Sequence, residues 1–532
     1  MDRRFIWAMA LMTLIVMAPA VFMKKPPAPV VAPVDSTQLS APVPAPLPVA
    51  VPAPVSADGG TLAAVPEDTI LIHTPLSTYG ISTRGARLVT ATLEKYESQV
   101  SGHTNQRVEL MLPGSELMGL RVVVGADTLR LDDWQFTAST GDRSIDGPTP
   151  VEFTATQGNV AVRLVYTFRP DDYQVGVEGS VTGVGPNGGL LLVGMGPGLA
   201  NTEANLVENE RSMGFVTKAQ STKFKSFQSL DTAQVATVSG PFEWVAVKSK
   251  YFVTALLAFE PGAQPVGGLA VRPLPQPGQK KADRAGIWAS MLLPVEGGFR
   301  YTVYAGPMEY SRLAKVGHDF DDVNPYGWPG FRTIIRPVAV AVRWLLVWMH
   351  DNLHLAYGMV LVLFGILVRL VLWPLNQKAM RSTMAMQAIQ PELKAIQDKY
   401  KEDPQRLQQE MFKLYKEHNV NPLGGCWPML LPMPVLLALF FVFQNTIELR
   451  GQAFLWLPDL SRPDPLYIIP LIMGLSMFWL TRMGQRGIPP NPQMKMMMYV
   501  MPIMMTVLFL NFASGLNLYY AVSNLASVPQ QW

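Results

Sequence analysis

Cysteine is almost absent from this sequence, with Cys426 alone among 532 residues. A single cysteine excludes an intramolecular disulfide, so an exposed domain must be stabilised by its own core. Charged residues are scarce too, at 16% of the chain, whereas roughly a quarter is usual in soluble proteins. The net charge of +3 is too small to indicate nucleic acid as the main partner. With 49% hydrophobic residues, the composition is typical of a membrane protein with a water-exposed part.

Recognisable catalytic, nucleotide-binding and metal-binding motifs are also missing from the sequence. Residues 194–198 read GMGPG, but no helix-forming stretch follows at once and Pro197 lies inside, so a dinucleotide-binding loop is not indicated. His350 and His354 are four residues apart with no third ligand in view, so we predict no metal site. No Walker-type nucleotide motif occurs. We therefore expect no enzymatic activity, no nucleotide hydrolysis and no cofactor.

The N-terminus carries the first long apolar run, which follows Arg3 and Arg4. It is long enough to cross a bilayer core of about 30 Å, so we predict an uncleaved anchor at residues 1–25 with a cytoplasmic N-terminus. A cleaved signal peptide is the alternative, because residues 18–20 (Ala-Pro-Ala) resemble a cleavage site. Residues 26–60 are rich in Pro, Ala and Val, which is typical of a semi-rigid spacer on the outer side of the membrane.

Residues 61–325 have the pattern of an antiparallel β-sandwich. Apolar and polar residues alternate along residues 162–181 on both sides of a Pro-Asp-Asp turn. Short strands of this kind, separated by clusters of Gly, Asn, Asp and Pro, predict a sandwich. Because this domain shows no site for chemistry, we interpret it as a binding or spacing module.

The membrane part is predicted at residues 326–532 and begins with residues 331–350. Arg332, Arg336 and Arg343 fall on one side of a helix, and the apolar stretches beside Arg343 are too short to span. We predict an interfacial helix with its arginines toward lipid headgroups and its tryptophans at the membrane boundary. A distorted membrane span is the alternative.

A membrane span is predicted next, at residues 355–375, ending at Pro374. Residues 376–420 mix both charges with helix formers, which indicates a cytoplasmic two-helix hairpin broken at Asp403-Pro404. Its predicted apolar stripes include Met384, Ile389, Leu393 and Met411. Further spans are predicted at 427–447, 466–482, 496–512 and 515–530. The fold class is thus a polytopic α-helical membrane protein with six transmembrane helices and both termini cytoplasmic, as the Lys and Arg bias of its loops indicates.

Several motifs of the membrane part are specific enough to identify a family. The stretches NPLGGCWPMLLPMPVLLALFF (421–441), SGLNLYYAVSNLASVPQQ (514–531) and VRLVLWPL around Arg369 closely resemble the YidC/Oxa1/Alb3 family of membrane insertases. The order of anchor, large external β domain and five-span core resembles the type found in Gram-negative bacteria. The resemblance covers nearly the whole chain and is most specific in its last part.

This resemblance implies a membrane protein insertase and chaperone of the bacterial inner membrane. Its β domain would be a periplasmic supersandwich, and its five-helix core would enclose a hydrophilic groove open to the cytoplasm and to lipid. Nascent membrane proteins would be its substrates, alone or together with the Sec translocon and its accessory subunits. The implied partners also include the ribosome, a signal-recognition receptor and the phospholipid bilayer.

Arg369 matches the groove arginine of the family, whereas from sequence alone it could extend to the cytoplasmic interface. Gly365 lies one turn earlier, where relatives often have a polar Thr. The other residues that we assign to the groove are Asn517, Tyr519 and Tyr520. A flexible hydrophobic slide for substrates is assigned to Met433, Leu437, Met501, Met504 and Met505. For the Met-rich stretch 494–505, plain lipid-facing packing is the alternative.

Two other functions are open on the sequence. A secondary transporter or channel would normally show repeats and acidic residues within its spans, and the proposed spans contain neither. An enzyme tethered by the anchor would need a catalytic motif in the β domain. An insertase agrees best with the sequence.

Overall fold

A computed structural model describes residues 67–186, 188–324, 326–327, 331–401, 403–418, 433–484 and 492–531. The predicted anchor at 1–25 and the predicted linker at 26–60 lie outside the described residues, as do Cys426 and the first part of the span predicted at 427–447. The described part begins with strands and continues with helices, and hydrogen bonds and ion pairs connect the two.

Within the described residues, twenty strands lie between Thr69 and Pro307. They are β1 (Thr69–His73), β2 (Ser77–Ser82), β3 (Leu88–Glu97), β4 (Arg107–Glu109), β5 (Leu120–Val124), β6 (Asp127–Leu129), β7 (Thr137–Ala138), β8 (Arg143–Ser144), β9 (Thr149–Gln157), β10 (Val160–Phe168), β11 (Gln174–Thr182), β12 (Gly189–Gly194), β13 (Gly214–Lys218), β14 (Thr222–Ser226), β15 (Ala236–Phe242), β16 (Trp244–Lys248), β17 (Phe252–Leu257), β18 (Val266–Pro275), β19 (Ala282–Leu293) and β20 (Gly298–Pro307).

These strands form three sheets. The nine-stranded sheet has the order β14-β13-β16-β17-β20-β11-β10-β9-β7, the six-stranded sheet β15-β18-β19-β12-β5-β6, and the five-stranded sheet β4-β3-β2-β1-β8. The described pairings are antiparallel, except that β1 runs parallel to the two-residue strand β8. Because both large sheets contribute to one hydrophobic core, the predicted antiparallel β-sandwich is confirmed.

The alternation of buried and exposed side chains along single strands builds that core. In β10, Val162, Leu164, Tyr166 and Phe168 are buried, and the residues that alternate with them are partly or fully exposed. In β12, Leu191 belongs to the main core, whereas Leu192 on the other face packs with Trp288 in a small separate cluster. The period-two pattern visible in the sequence thus decides which face of each strand is buried.

The helices follow mainly after the sandwich. They are α1 (Leu206–Ser212), α2 (Tyr310–Val316), α3 (Arg332–Leu353), α4 (Tyr357–Ala388), α5 (Gln390–Lys399), α6 (Pro404–Glu417), α7 (Met433–Asn445), α8 (Ile468–Gly484), α9 (Pro492–Phe509), α10 (Ser514–Leu525) and α11 (Val528–Gln531). Between α5 and α6 the Asp403 side chain accepts a hydrogen bond from the Arg406 amide, as an N-cap, and Pro404 occupies the first helical position.

The predicted span ends at Pro374, as does the apolar stretch Tyr357–Pro374, but the helix itself continues. Helix α4 runs without interruption through Pro374 to Ala388, so it includes the residues that we assigned to the start of the hairpin. A proline removes one hydrogen bond of the helix, and membrane helices tolerate it where neighbouring groups compensate. The helix formers from Gln377 onward extend the helix beyond the apolar part.

By length and composition alone, two stretches of the described helices could cross a membrane, Arg332–Leu353 and Tyr357–Pro374. Three other apolar stretches are shorter: Val435–Asn445, Ile468–Met483 and Met498–Phe509. The count of six spans therefore stays a prediction, and so does the interfacial position of α3.

The α3 arginines pair with carboxylates of the chain itself, which the sequence analysis did not predict. Arg332 pairs with Asp322 at 2.6 Å and Arg336 with Asp321 at 2.9 Å, in the short helical turn after α2. Arg343 pairs with Glu448 beyond the end of α7. Carboxylates of the chain itself lie within reach, so these guanidinium groups are neutralised inside the protein.

The segment between α7 and α8, residues 446–467, is here called the external segment, and it connects the helices to the sandwich. Arg450 donates to Glu203 Oε1 at 2.9 Å and to the carbonyl oxygens of Glu97 and Thr202 at 2.8 and 3.1 Å. The two side chains of the ion pair are only 5% and 7% exposed. A second connection is made by Asn324, which donates to the Asn445 carbonyl at 3.0 Å.

We predict that replacing Arg450 with Met destabilises the protein by roughly 3–5 kcal/mol, because the buried Glu203 carboxylate loses its charge partner. The midpoint of thermal unfolding of the purified chain in detergent measures this loss. The double variant Arg450→Met with Glu203→Leu should regain much of it, since no unpaired charge is left. Arg163→Ala, which breaks an exposed pair with Glu152, is the control and should change the midpoint little. Equal effects at Arg450 and Arg163 would contradict the prediction.

Candidate functional site

The helices share a second hydrophobic core, separate from that of the sandwich. It contains Leu361 and Phe364 of α4, Val442 of α7, Met473 of α8 and Leu516 of α10, and α3 contributes further residues. On the opposite faces, large apolar side chains are exposed, among them Leu370 and Val371 of α4, Leu475 and Trp479 of α8 and Ile503 and Val507 of α9. An exposed apolar surface of this extent suits helices surrounded by lipid.

Arg369 lies between these two surfaces, in the apolar part of α4. Its Nε atom donates to the Ser523 carbonyl oxygen at 3.0 Å and to the Ser523 hydroxyl at 2.8 Å. The guanidinium group is thereby fixed against α10, the last long helix of the core. Because Arg369 is half-buried and bonded to a neighbouring helix, its side chain is oriented by the helix bundle.

Ser523 is a residue that the sequence analysis missed. Its carbonyl also accepts a hydrogen bond from the Ser527 hydroxyl at 2.7 Å, and the next residue, Asn524, donates to the Ser476 hydroxyl of α8 at 3.3 Å. A small polar patch therefore connects α4, α8 and α10 at the level of Arg369. The available signal was the spacing of Ser523 and Ser527, which lie four residues apart in an otherwise apolar segment.

Asn517 lies elsewhere than predicted. Its side chain is fully buried, and its Nδ2 atom donates to the Phe509 carbonyl at the end of α9 at 3.0 Å. A buried amide needs such a partner, and the terminal carbonyls of a helix are available acceptors. The geometry makes Asn517 a connection between α10 and the end of α9, rather than a residue that lines an open groove.

Tyr519, Tyr520 and Gly365 lie where α10 faces α4 and α9. Tyr519 is 2% exposed and packs against Phe364, with ring centroids 5.8 Å apart. Tyr520 is partly buried and contacts Phe509 edge to face at 5.1 Å. Gly365 allows the close approach, because a Cβ atom there would lie 3.2 Å from Cγ1 of Val522.

The residues assigned to the hydrophobic slide do not share one environment. Leu437 and Met505 are partly buried against the helical core. Met501 is also partly buried, whereas Met504 is 48% exposed on the outward face of α9. The Met433 side chain lies outside the described residues. For Met504, this position agrees with the lipid-facing alternative.

The hairpin residues also differ in burial. Ile389 is buried at the junction of α4 and α5, and Leu393 and Met411 are partly buried on α5 and α6. Met384, in the last turns of α4, is 56% exposed. Within the described residues, no group of three potential metal ligands occurs.

Comparison with known proteins gives two family matches. The sequence model of the 60Kd inner membrane protein family matches residues 348–532, and that of the YidC periplasmic domain matches residues 69–340. The membrane protein insertase YidC of Chloroherpeton thalassium is 31% identical over 89% of this chain and 83% of the relative. The insertase YidC of Chlorobium phaeovibrioides is 32% identical over 100% of this chain and 95% of the relative.

Among solved structures, an active YidC insertase with its first transmembrane domain resolved is similar to this chain. It is 20% identical, with coverage of 87% of this chain and 91% of the other and a TM-score of 0.35.

We predict that Gly365→Leu destabilises the contact of α4 with α10 by roughly 1–3 kcal/mol, because the larger side chain overlaps Val522. Leu is a good helix former, so a loss reports packing rather than helix propensity. Thermal unfolding in detergent is the measurement. Adding Val522→Ala should restore part of the loss, whereas adding Val371→Ala on the outward face of α4 should restore none. Equal behaviour of the two double variants would show that the close approach is unimportant.

Proposed function

This chain belongs to the YidC family of membrane protein insertases, and on that premise we propose that it moves nascent membrane proteins into the inner membrane past a hydrophilic, lipid-open groove containing Arg369. The family is one of inner membrane insertases with a periplasmic domain, not one of enzymes. The groove, its residues and the route of the substrate are our proposal.

The observation that carries the proposal is the fixed position of Arg369. A cation within apolar helices costs free energy, and it is usual there only where it serves a function. Ser523 orients the guanidinium group through Nε. A cation held in surroundings of low dielectric constant attracts acidic and polar residues of a translocated tail. It thereby lowers the desolvation cost of bringing that tail partway across.

The energy for insertion comes from the substrate in this mechanism. No Walker-type motif occurs in the sequence, and burial of a substrate's apolar segment in lipid is favourable. The membrane potential adds roughly 2.3 kcal/mol per charge per 100 mV for acidic residues moving outward. The apolar outward faces of α4, α8 and α9 provide a path along which such a segment can leave the protein for lipid.

A transporter is less well supported. The sequences of α4, α7, α8, α9 and α10 contain no Asp or Glu, the residues that proton- or ion-coupled transport usually places within membrane helices. We extend the proposal to cytoplasmic termini and to cooperation with the Sec translocon. Both extensions rest on the resemblance of the sequence to the family and on the charge bias of the loops.

The deciding experiment supplies this chain to bacteria depleted of their own insertase. Wild type should restore insertion of small Sec-independent proteins. Arg369→Ala should lower the initial insertion rate of substrates with acidic translocated tails by roughly tenfold or more, through loss of the charge attraction. Arg369→Lys should restore part of the rate, because the charge returns without the fork of donors that contacts Ser523.

Three further variants separate the effect of the position of the guanidinium group from the effect of its charge. Ser523→Ala should lower the rate less than Arg369→Ala does, since the backbone carbonyl still accepts from Nε, and Ser523→Thr should retain activity. Arg482→Ala, at the exposed end of α8, is the matched loss of a cation and should insert normally. If the wild-type chain failed to restore insertion, the proposed function would be refuted. Full activity of Arg369→Ala would remove Arg369 from the mechanism.

A further inference from the structure

A large cleft lies between the sandwich and α3, apart from the site around Arg369. Its volume is about 1200 Å³, above the range of roughly 300–1,000 Å³ usual for small-molecule pockets. One side is formed by α3 and the other by the β13–β14 edge of the nine-stranded sheet, with the turn after α2. The cleft is open on one side.

The α3 wall is apolar and continues into the exposed face of that helix. Pro337, Val340, Ala341, Trp344 and Val347 line the cleft. The Trp344 side chain is 62% exposed and stacks with Trp348 at 6.4 Å. Exposed tryptophans on an amphipathic helix are typical of the boundary between headgroups and acyl chains. In the interfacial position predicted for α3, acyl chains would reach this wall from the bilayer.

The opposite end of the cleft is polar and carries both charges. Lys218 pairs with Asp319 at 2.7 Å, and Arg332 pairs with Asp322 at 2.6 Å. The hydrogen bond from Lys218 lowers the pKa of Asp319, so this partly exposed carboxyl group is ionised at neutral pH. Thr222 and Ser311 add hydroxyl groups to the lining.

Positive and negative groups balance in and around the cleft. The four lining cations are Lys218, Arg332, Arg336 and Arg343, and their carboxylate partners are Asp319, Asp321, Asp322 and Glu448. A purely anionic headgroup gains no net attraction from such a set. A zwitterionic headgroup can offer phosphate oxygens to the guanidinium groups and N–H donors to the carboxylates.

We propose that this cleft is a binding site for a zwitterionic phospholipid with a primary ammonium headgroup, whose acyl chains lie along the apolar wall of α3. A primary ammonium donates hydrogen bonds to Asp319 and Asp322, which a quaternary ammonium cannot do. An amphipathic peptide segment is the other conceivable occupant. The charge balance and the predicted interfacial position of α3 favour the lipid.

The test measures lipid retention by native mass spectrometry of the full chain, delipidated in detergent and then titrated with lipids of identical acyl chains. The three lipids are phosphatidylethanolamine, phosphatidylcholine and phosphatidylglycerol. Wild type should retain one phosphatidylethanolamine about tenfold more tightly than either other lipid, as expected for hydrogen bonds to charged groups. Equal retention of the three lipids would overturn the proposal, and would be the result if a peptide segment were the true occupant.

Two pairs of variants locate the site. Ala341→Trp fills the apolar wall and should abolish the preference, whereas Val371→Trp on the lipid-facing side of α4 should keep it. Asp319→Asn removes one carboxylate and should shift the preference toward phosphatidylglycerol, whereas Glu296→Gln makes the same charge change on an exposed turn of the sandwich and should not. Because the readout of the second pair is a ratio between lipids, partial unfolding cannot imitate it. Identical results within either pair would overturn the proposed position.

Discussion

The cost of removing a cation from water constrains this molecule more than any other single effect. A buried guanidinium group is tolerated only where partners replace its hydration. Arg343 meets Glu448, Arg450 meets Glu203, and Arg369 meets Ser523. Each of these partners comes from another element of the fold. Satisfying three cations therefore joins α3, α4, α10, the external segment and the sandwich.

The external segment after α7 has a double role because of this constraint. Its Glu448 neutralises Arg343 of α3, and two residues later its Arg450 enters the sandwich and pairs with Glu203. Gln99 of the β region adds a hydrogen bond to Asp459 of the same segment. The sandwich is consequently attached to the external ends of the helices by polar contacts that exclude water. A shift of α3 or α7 would therefore either break these contacts or move the sandwich together with the helix.

Among the helices, the same need for hydrogen-bond partners keeps polar side chains between helices and leaves apolar side chains on the outer faces. Polar groups such as Ser476, Ser523 and Asn517 lie between helices and are hydrogen-bonded, and the outward faces of α4, α8 and α9 are apolar. The proposed function uses this arrangement, because in that proposal substrates exchange a polar environment for lipid along the protein surface. Arg369 lies on α4 at the point where both surfaces meet. The cleft beside α3 repeats the pattern, with charged groups at one end and an apolar wall at the other.

The sequence by itself determined the sandwich, through the alternation seen in strands such as β10, and the family, through the motifs around Arg369 and in residues 514–531. These are local patterns, and period and composition are readable over short stretches. Only the tertiary structure decided the partners of the cations, which are 105, 154 and 247 residues distant in sequence. The tertiary structure also buried Asn517, and it continued α4 through Pro374 although a proline usually ends a helix. Charge pairing and burial depend on which distant elements meet in the fold, and no window of sequence contains that information.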